Sequence, residues 1–455
     1  MKEDSMKIGK SVLKKYFEYS LGVWLNSLLS FFTIPIISWL VQPQEFGKVA
    51  MYSSILGGLS SIVQMGTSDA YMRFYNEYSD INYLTTICLI PQILVFLPVA
   101  VLVAIFRIPL EEFIQGDVGG FLWVILIVHL LLNVFNSLSI TMIRMNGSGL
   151  IFSLFNIISN AFSLILTILF CFLVEKSYRS IIMSQLLSTI LYTILLLFCT
   201  HKQWTIKKPK VEDVKEIFYY SWPLLFGSFL WWMTNWTDRI MLRTLSNFDE
   251  IGMYSIASKV ASTLNLVVSG FNTLWYPFAY SKMGNENVKQ KFVLVADTVT
   301  LVMFFLAELL FVGRKVIFQV LFANSYEKAS ELVGVLLIPI VMTALMVVTG
   351  RGINYAKKTY LSIITNTSSI TTNVVLNWFL IPRLGAFGAA VGTAVSFVVI
   401  FSVEFILSQK FYKLHYNVMK MYIILIFYFS LNFLSLVVNT ELEIILNVFF
   451  SLPYL

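Results

Sequence analysis

Long apolar runs separated by short polar segments make up nearly the whole chain. A helix needs about 20 mostly apolar residues to cross a hydrocarbon core roughly 30 Å thick, and most of the runs reach that length. The pattern therefore predicts an all-α polytopic membrane protein with about fourteen spans. The predicted spans are residues 17–41, 49–72, 84–106, 121–143, 150–173, 181–200, 217–243, 251–279, 292–312, 332–350, 360–382, 386–408, 420–438 and 442–455.

The longest polar segment between spans is HKQWTIKKPKVEDVKE, residues 201–216, near the middle of the chain. It is too short to hold a soluble catalytic domain. Membrane polymerases and ligases of surface glycans generally present their chemistry on a sizeable loop. We therefore expect a protein that is not an enzyme.

Composition agrees with a membrane protein, because 58% of the residues are hydrophobic and 13% are charged. Soluble domains carry about 25% charged residues. The net charge of +7 lies in short segments between apolar runs and not on one basic face. It therefore indicates membrane topology and disfavours a nucleic-acid partner.

The positive charges alternate from one side of the predicted membrane to the other. With a cytoplasmic N-terminus, 21 of the 32 Lys and Arg residues fall inside. The acidic segments RIPLEEFIQGD (107–117) and NTELE (439–443) fall outside. Cytoplasmic segments are the ones enriched in Lys and Arg, so both termini are predicted to be cytoplasmic. The basic N-terminus lacks a small-residue cleavage site and is interpreted as a lead into the first span, not a removable signal.

Cysteine and histidine supply no predicted metal site or disulfide. The cysteines, Cys88, Cys171 and Cys199, lie inside apolar runs, and His129, His201 and His415 are scattered. Zinc ligands in proteins recur at short, defined spacings, and no such spacing is present. No cofactor is predicted.

The two halves of the chain carry similar short motifs. EFG at 45–47 and EIG at 250–252 are offset by 205 residues, and Arg144 and Arg351 by 207. Six predicted spans separate the equivalent positions, so the repeats are parallel and related about an axis along the membrane normal. The predicted domains are an N-terminal lobe at 1–200, a cytoplasmic linker at 201–216, a C-terminal lobe at 217–408 and an extra helix pair at 409–455.

Several stretches together resemble the polysaccharide exporters of the MOP (MATE-like) superfamily, in order along nearly the whole chain. These stretches are QPQEFGKVAMYSS (42–54), GTSDAYMRFYNE (66–77), YSWPLLFGSFLWWMTNWTDRIML (220–242), IGMYSIASKV (251–260), LWYPFAYS (274–281) and PRLGAFGAAVGTAVS (382–396). The resemblance implies two six-helix lobes in a pseudo-twofold arrangement plus two C-terminal helices.

The same resemblance implies a function, that of a Wzx-type flippase. Such proteins move undecaprenyl-diphosphate-linked oligosaccharide units from the inner to the outer leaflet of the bacterial cytoplasmic membrane by alternating access. The units are used for O antigen, capsule or exopolysaccharide. The implied partners are the lipid-linked oligosaccharide, membrane lipids, and the polysaccharide polymerase and chain-length proteins.

Basic residues at the span ends are candidates for binding an anionic lipid diphosphate, since Arg binds phosphate with two parallel hydrogen bonds. Arg73, Arg144 and Arg351 lie at predicted inner ends, and Arg239 and Lys259 lie toward predicted outer ends. The alternative is that such residues anchor helix ends at the headgroups.

Four acidic residues within predicted spans are candidates for balancing charge or for coupling to an ion. Asp69 and Asp238 each have a basic residue nearby in sequence, which favours neutralisation. Asp297 and Glu404 have none, and buried carboxylates can bind H⁺ or Na⁺ in a transporter.

Polar and small residues also recur at helical spacing. NTSSITTNVVLN (366–377) is interpreted either as helix packing or as hydrogen bonding to sugar hydroxyls. GAFGAAVGTA (385–394) predicts close helix packing.

Three competing functions stay open. A MATE-type multidrug or cation antiporter shares the superfamily but should have an acidic cavity. A membrane-embedded polymerase or ligase lacks its long outer loop here. A non-transporting scaffold is not suggested by any feature.

Overall fold

The computed structural model describes residues 26, 28–146, 149–282, 288–356, 358 and 360–437. Its α-helices are α1 (Leu28–Leu40), α2 (Pro43–Gln64), α3 (Thr67–Phe74), α4 (Ile81–Ile105), α5 (Arg107–Gln115), α6 (Leu122–Met145), α7 (Gly149–Leu173), α8 (Tyr178–Thr200), α9 (Val211–Leu245), α10 (Phe248–Ala261), α11 (Asn265–Lys282), α12 (Lys289–Leu321), α13 (Ser330–Thr349), α14 (Arg351–Tyr355), α15 (Leu361–Phe411) and α16 (Val418–Val437). The described residues contain no β-strand.

Nine helical stretches among the described residues are long and apolar enough to cross a membrane, and α1 and α16 contribute shorter apolar helices. This confirms a multi-pass membrane protein. The 35-residue helix α9 holds the predicted seventh span but is less apolar because of its Trp, Asn, Asp and Arg residues. The predicted span at 442–455 and the start of the one at 17–41 lie outside the described residues.

Two predicted spans, 360–382 and 386–408, form the single stretch α15, which breaks at Gly385 with φ 56° and ψ −133°. The positive φ favours glycine, which has no Cβ to clash. After this break the second half folds back on the first, because the Cα of Gly388 lies against the backbone of Leu380. The stretch 385–394 was predicted to pack closely, and this contact confirms it.

The predicted outer loop at 107–117 contains the short helix α5. Its Glu111 is buried and accepts hydrogen bonds from the backbone N–H groups of Gly119 and Gly120, both at 3.3 Å. Gly116 ends the helix with a φ of 87°. The segment 107–117 was predicted to be an outer loop from its acidic composition. In the structure it contains a helix, and the Glu111 carboxylate binds the backbone that follows it.

Contacts between Cα atoms divide the chain into two compact units. The first unit comprises the described parts of 1–41 and 48–236, and the second comprises 42–47 and the described parts of 237–455. The helices α2 and α9 therefore each contribute to both units. The predicted lobes, with their linker at 201–216 and extra pair at 409–455, stay predictions.

In the first unit α6 packs against α4 and α8, and α7 packs against α8. An apolar cluster of this unit contains Tyr71, Leu84 and Leu138. In the second unit α13 packs against α10, α12 and α15. Nearly every residue of α13 is buried, which suits a helix that is apolar on all faces.

Candidate functional site

The carboxylate of Asp238 forms the centre of a buried polar cluster in the second unit. Its Oδ2 accepts a hydrogen bond from the hydroxyl of Tyr254 at 2.6 Å. Its Oδ1 accepts hydrogen bonds from Nδ2 of Asn373 at 2.8 Å and of Asn377 at 2.9 Å. Only 2% of Asp238 is exposed. Buried polar groups are generally hydrogen-bonded, and three neutral donors satisfy this carboxylate inside the helix bundle.

The helix α15 brings both amides to Asp238. Asn373 and Asn377 lie four residues apart and therefore on one face of its first half. The second half returns alongside, and Gly392 contacts Oδ1 of Asn377. Thr393, the next residue, lies 3.2 Å from the Tyr254 hydroxyl and 3.3 Å from Nδ2 of Asn373.

Arg239 is also buried, with 7% of the residue exposed. Its Nε donates a hydrogen bond to Oγ of Ser255 at 3.1 Å, and its guanidinium lies 5.4 Å from the ring centre of Tyr254. Lys259 is exposed and lies four residues after Ser255, one turn further along α10. The adjacent residues Asp238 and Arg239 on α9 thus lie beside α10, the helix that carries Lys259.

The predicted inner cations of the first unit are exposed. Arg73 forms an ion pair with Glu77, four residues later on the chain. Arg144 lies in the last turn of α6, with its guanidinium 5.9 Å from the ring centre of Phe152. Both placements suit helix-end anchors as well as substrate contacts.

Arg351 belongs to the second unit and is half-buried. Its Nε donates a hydrogen bond to the carbonyl of Val347 at 2.6 Å, and its guanidinium lies 4.2 Å from the ring centre of Tyr276. Glu404 packs against Gly350 and interacts electrostatically with Arg351. Glu404, which has no basic neighbour in sequence, therefore has one in the fold.

The other two predicted acids are less enclosed. Asp69 is exposed in the first turn of α3, where the helix dipole favours negative charge. Asp297 is half-buried on α12. The roles of all nine candidate residues stay predictions.

The sequence interpretation missed Tyr254, Asn373 and Asn377 as partners of Asp238. The spacing of the two asparagines was visible in the polar stretch 366–377, but it did not say which residue they bind. A buried carboxylate needs hydrogen-bond donors. Two asparagines at positions i and i+4 of another span are the sequence signal that indicates such donors.

The described residues hold no group of three or more His, Cys, Asp or Glu side chains placed for a metal. Oδ1 of Asn377, which packs against Gly392, is buried and accepts no hydrogen bond from the described residues.

Comparisons with known proteins agree with this architecture. The sequence model of the family "Polysaccharide biosynthesis protein" matches residues 12–283. A protein of Haloferax volcanii described as probable low-salt glycan biosynthesis flippase Agl15 is 24% identical over 199 residues. That match covers 43% of this chain and 42% of the relative, so it spans less than half of the relative's length.

Two solved structures share the fold across most of the chain. The lipid II flippase MurJ in an inward closed conformation superposes with a TM-score of 0.72, at 13% identity, over 96% of both chains. An inward-facing multidrug resistance MATE family transporter of the MOP superfamily superposes with a TM-score of 0.63, at 14% identity, over 88% of this chain and 95% of its own. The predicted MATE-like fold is thus confirmed.

Proposed function

Because the chain belongs to the polysaccharide biosynthesis protein family, we propose that it is a flippase for undecaprenyl-diphosphate-linked oligosaccharide units. It moves them from the inner to the outer leaflet of the bacterial cytoplasmic membrane, for assembly of O antigen, capsule or exopolysaccharide. The fold shared with a lipid II flippase and the sequence shared with a glycan biosynthesis flippase support this proposal. The protein moves its substrate without covalent chemistry and hands it to the polymerase and chain-length proteins.

The buried cation Arg239 is the observation that carries the proposal. Its neighbour Asp238 accepts hydrogen bonds from Tyr254, Asn373 and Asn377. Arg239 donates to the hydroxyl of Ser255 and faces the ring of Tyr254, and Lys259 lies one turn beyond Ser255 on α10. Two basic residues on these helices suit a diphosphate carrying about two negative charges better than they suit a cationic drug.

In the proposed cycle, Arg73, Arg144 and Arg351 capture the diphosphate near the cytoplasm, and Arg239 and Lys259 receive it toward the outer side. The two lobes alternate between inward and outward access, and the polyprenyl tail stays in lipid. A basic path lowers the cost of carrying an anion through hydrocarbon, where a charged side chain alone costs roughly 2.5–3.5 kcal/mol on insertion scales.

The Asp238 cluster is the proposed site of coupling to H⁺ or Na⁺. Asp238 is a carboxylate buried inside the bundle, and buried carboxylates in transporters can take up H⁺ or Na⁺. The remaining candidates, Asp69, Asp297 and Glu404, serve charge balance in this proposal.

A MATE-type multidrug or cation antiporter is the second candidate. The fold shared with a MATE transporter and the buried carboxylate of Asp238 favour it. It predicts efflux of organic cations that depends on Asp238 but not on Arg239.

The testing experiment measures the leaflet distribution of the lipid-linked oligosaccharide in cells that lack the protein. Wild-type chain, Arg239→Gln and Arg351→Gln are each returned to the cells. Arg383→Gln is the matched control, because Arg383 is exposed and its guanidinium donates to the carbonyl of Phe379 four residues earlier. We expect inner-leaflet accumulation that wild type and the control relieve and the other two variants do not, at equal membrane levels.

An unchanged leaflet distribution in cells without the protein would discard the flippase and direct attention to cation efflux. Full relief by both Arg239→Gln and Arg351→Gln would keep the flippase but remove the proposed cationic path.

A further inference from the structure

His129 is a buried imidazole in the first unit that the proposed transport cycle does not use. It lies on α6 between α2 and α8 and is 6% exposed. Its Nδ1 lies 3.1 Å from the hydroxyl of Tyr52, and its Nε2 lies 2.9 Å from the hydroxyl of Thr189. Both ring nitrogens therefore have a partner on a neighbouring helix.

The hydrogen-bond partners fix the direction of this chain of groups. The Thr189 hydroxyl donates its hydrogen to the carbonyl of Gln185 at 2.8 Å, so its oxygen must accept from Nε2–H of His129. Nδ1 then carries the lone pair of the neutral ring and accepts from the Tyr52 hydroxyl. The imidazole is held as one neutral tautomer.

Tyr52 and His129 are both buried, and burying polar groups costs free energy unless their hydrogen bonds are made. The contacts of His129 with Tyr52 and Thr189 supply those hydrogen bonds.

No acidic group contacts the ring among the described residues of α2 and α8. Tyr52 is the titratable group that faces it from α2, and one turn away Lys48 lies over the ring of Tyr178. From α8 the ring meets Thr189, while Tyr192 packs with Phe155. A positive charge on the imidazole would have no acidic partner on these two helices. Protonation of the ring should therefore occur together with a rearrangement of the helices that pack against it.

We propose that His129 is a proton-binding site whose occupancy is linked to the position of α2. One proton from water adds to the Nδ1 lone pair and no other bond is made or broken. Nδ1 then becomes a hydrogen-bond donor. The Tyr52 hydroxyl must now accept from Nδ1, and its own hydrogen needs a new acceptor. Because Tyr52 is fully buried, we infer that α2 shifts to provide one.

The shift reaches the beginning of α2. Residues 42–47 belong to the second unit, and Gly47 packs against the backbone carbonyl of Phe248 at the start of α10. Tyr52 lies five residues after Gly47 on the same helix. Proton uptake at His129 therefore loosens the contact between the first turns of α2 and α10. Its use as a step of transport rests on the proposed flippase function.

Two measurements on the full chain in lipid nanodiscs test the proposal without substrate. Nitrogen-15 spectra of histidine-labelled protein follow the rings, of which the chain has three, with H201Q and H415Q providing assignments. Spin labels at the exposed positions Gln44 and Asp249, in a cysteine-free background, follow the distance between the starts of α2 and α10.

We expect the neutral Nε2–H tautomer at pH 8, protonation of Nδ1 as the pH falls toward 4, and a longer label distance in the same range. H129Q should remove the distance change, while H415Q should keep it. If H129Q does not fold, Tyr52→Phe separates the steps, because the ring still takes up a proton but the distance stays constant. A ring that stays neutral throughout, or a distance change that persists in H129Q or Tyr52→Phe, overturns the proposal.

These results do not depend on the flippase assay. If His129 did not bind a proton, the leaflet distribution could still show flippase activity. If the leaflet distribution did not change, the protonation of His129 and the label distance could still be interpreted.

Discussion

Gly47 on α2 packs directly against the backbone carbonyl of Phe248, the first residue of α10. The reciprocal contact is also present, because Gly252 on α10 packs against the carbonyl of Pro43, the first residue of α2. The repeat offset of 205 residues relates Gly47 to Gly252 and Pro43 to Phe248. The two contacts hold the starts of α2 and α10 together within the second unit.

The first prediction concerns this glycine pair. A methyl group at either position would collide with the facing carbonyl, and overpacking costs about 1–3 kcal/mol. We expect Gly47→Ala and Gly252→Ala to lower the free energy of unfolding in detergent by similar amounts. Gly227→Ala is the matched control, since a Cβ there meets no atom within 4 Å. If both variants were as stable as that control, the close contact would not exist.

The second prediction concerns the hydrogen bond from Tyr254 to Asp238. Tyr254→Phe removes a 2.6 Å donor from a buried carboxylate, and a hydrogen bond to a charged group contributes about 1.5–3 kcal/mol. We expect a destabilisation of that size, and Tyr276→Phe, which keeps its ring beside Arg351, should have a smaller effect. A double-mutant cycle with Asp238→Asn should show coupling, whereas additive effects would mean that the two side chains do not interact.

The third prediction uses the contact of α9 with α2 in the first unit. Nε1–H of Trp232 donates to the carbonyl of Ser54 at 3.0 Å, and its ring lies so close to Gly58 that an added Cβ would be 2.6 Å away. Trp232→Phe loses the hydrogen bond and leaves a gap, so we expect a loss of about 1–3 kcal/mol in chemical unfolding. Trp231→Phe is the control, because Trp231 is exposed and should change stability by less than about 0.5 kcal/mol. Equal effects of the two changes would contradict the contact.

The fourth prediction concerns pH and the segment before α9. Nζ of Lys207 lies 2.9 Å from Oδ2 of Asp80, and this hydrogen bond holds the pKa of Asp80 below its usual range. A carboxyl with a lowered pKa stabilises the folded state above its ordinary pKa of about 3.9, and that contribution disappears as the pH falls through the folded value. The segment should therefore loosen in acid.

The amide of Lys207, which donates to the hydroxyl of Thr86 at 3.1 Å, reports on this loosening. Its hydrogen exchange, corrected for the intrinsic rate, should accelerate between pH 6 and pH 3 in wild type. Asp80→Asn keeps a side chain that can cap α4 but has no charge, so its exchange should be faster at pH 6 and less dependent on pH. Identical exchange rates and pH dependence in wild type and Asp80→Asn would show that the ion pair does not stabilise this segment.

The sequence alone determined the membrane class and most of the helices. A spanning helix must satisfy its backbone hydrogen bonds within itself and present apolar side chains to lipid, so its signature is local and visible in one stretch of about 20 residues. The glycine-rich stretch at 385–394 predicted the close packing that follows the break at Gly385. The glycines of the short motifs at 45–47 and 250–252 lie where two backbones meet, and only glycine fits there.

Only the tertiary structure decided which polar side chains meet. Asn373 reaches Asp238 across 135 residues of chain, Tyr52 reaches His129 across 77, and Arg73 pairs with Glu77 and not with Asp69. A helix that is apolar on nearly every face has no amphipathic stripe to show which side turns toward its neighbours. The rotation and tilt of each helix follow from packing against distant helices, so the partners of buried polar groups are properties of the whole fold and not of any one span.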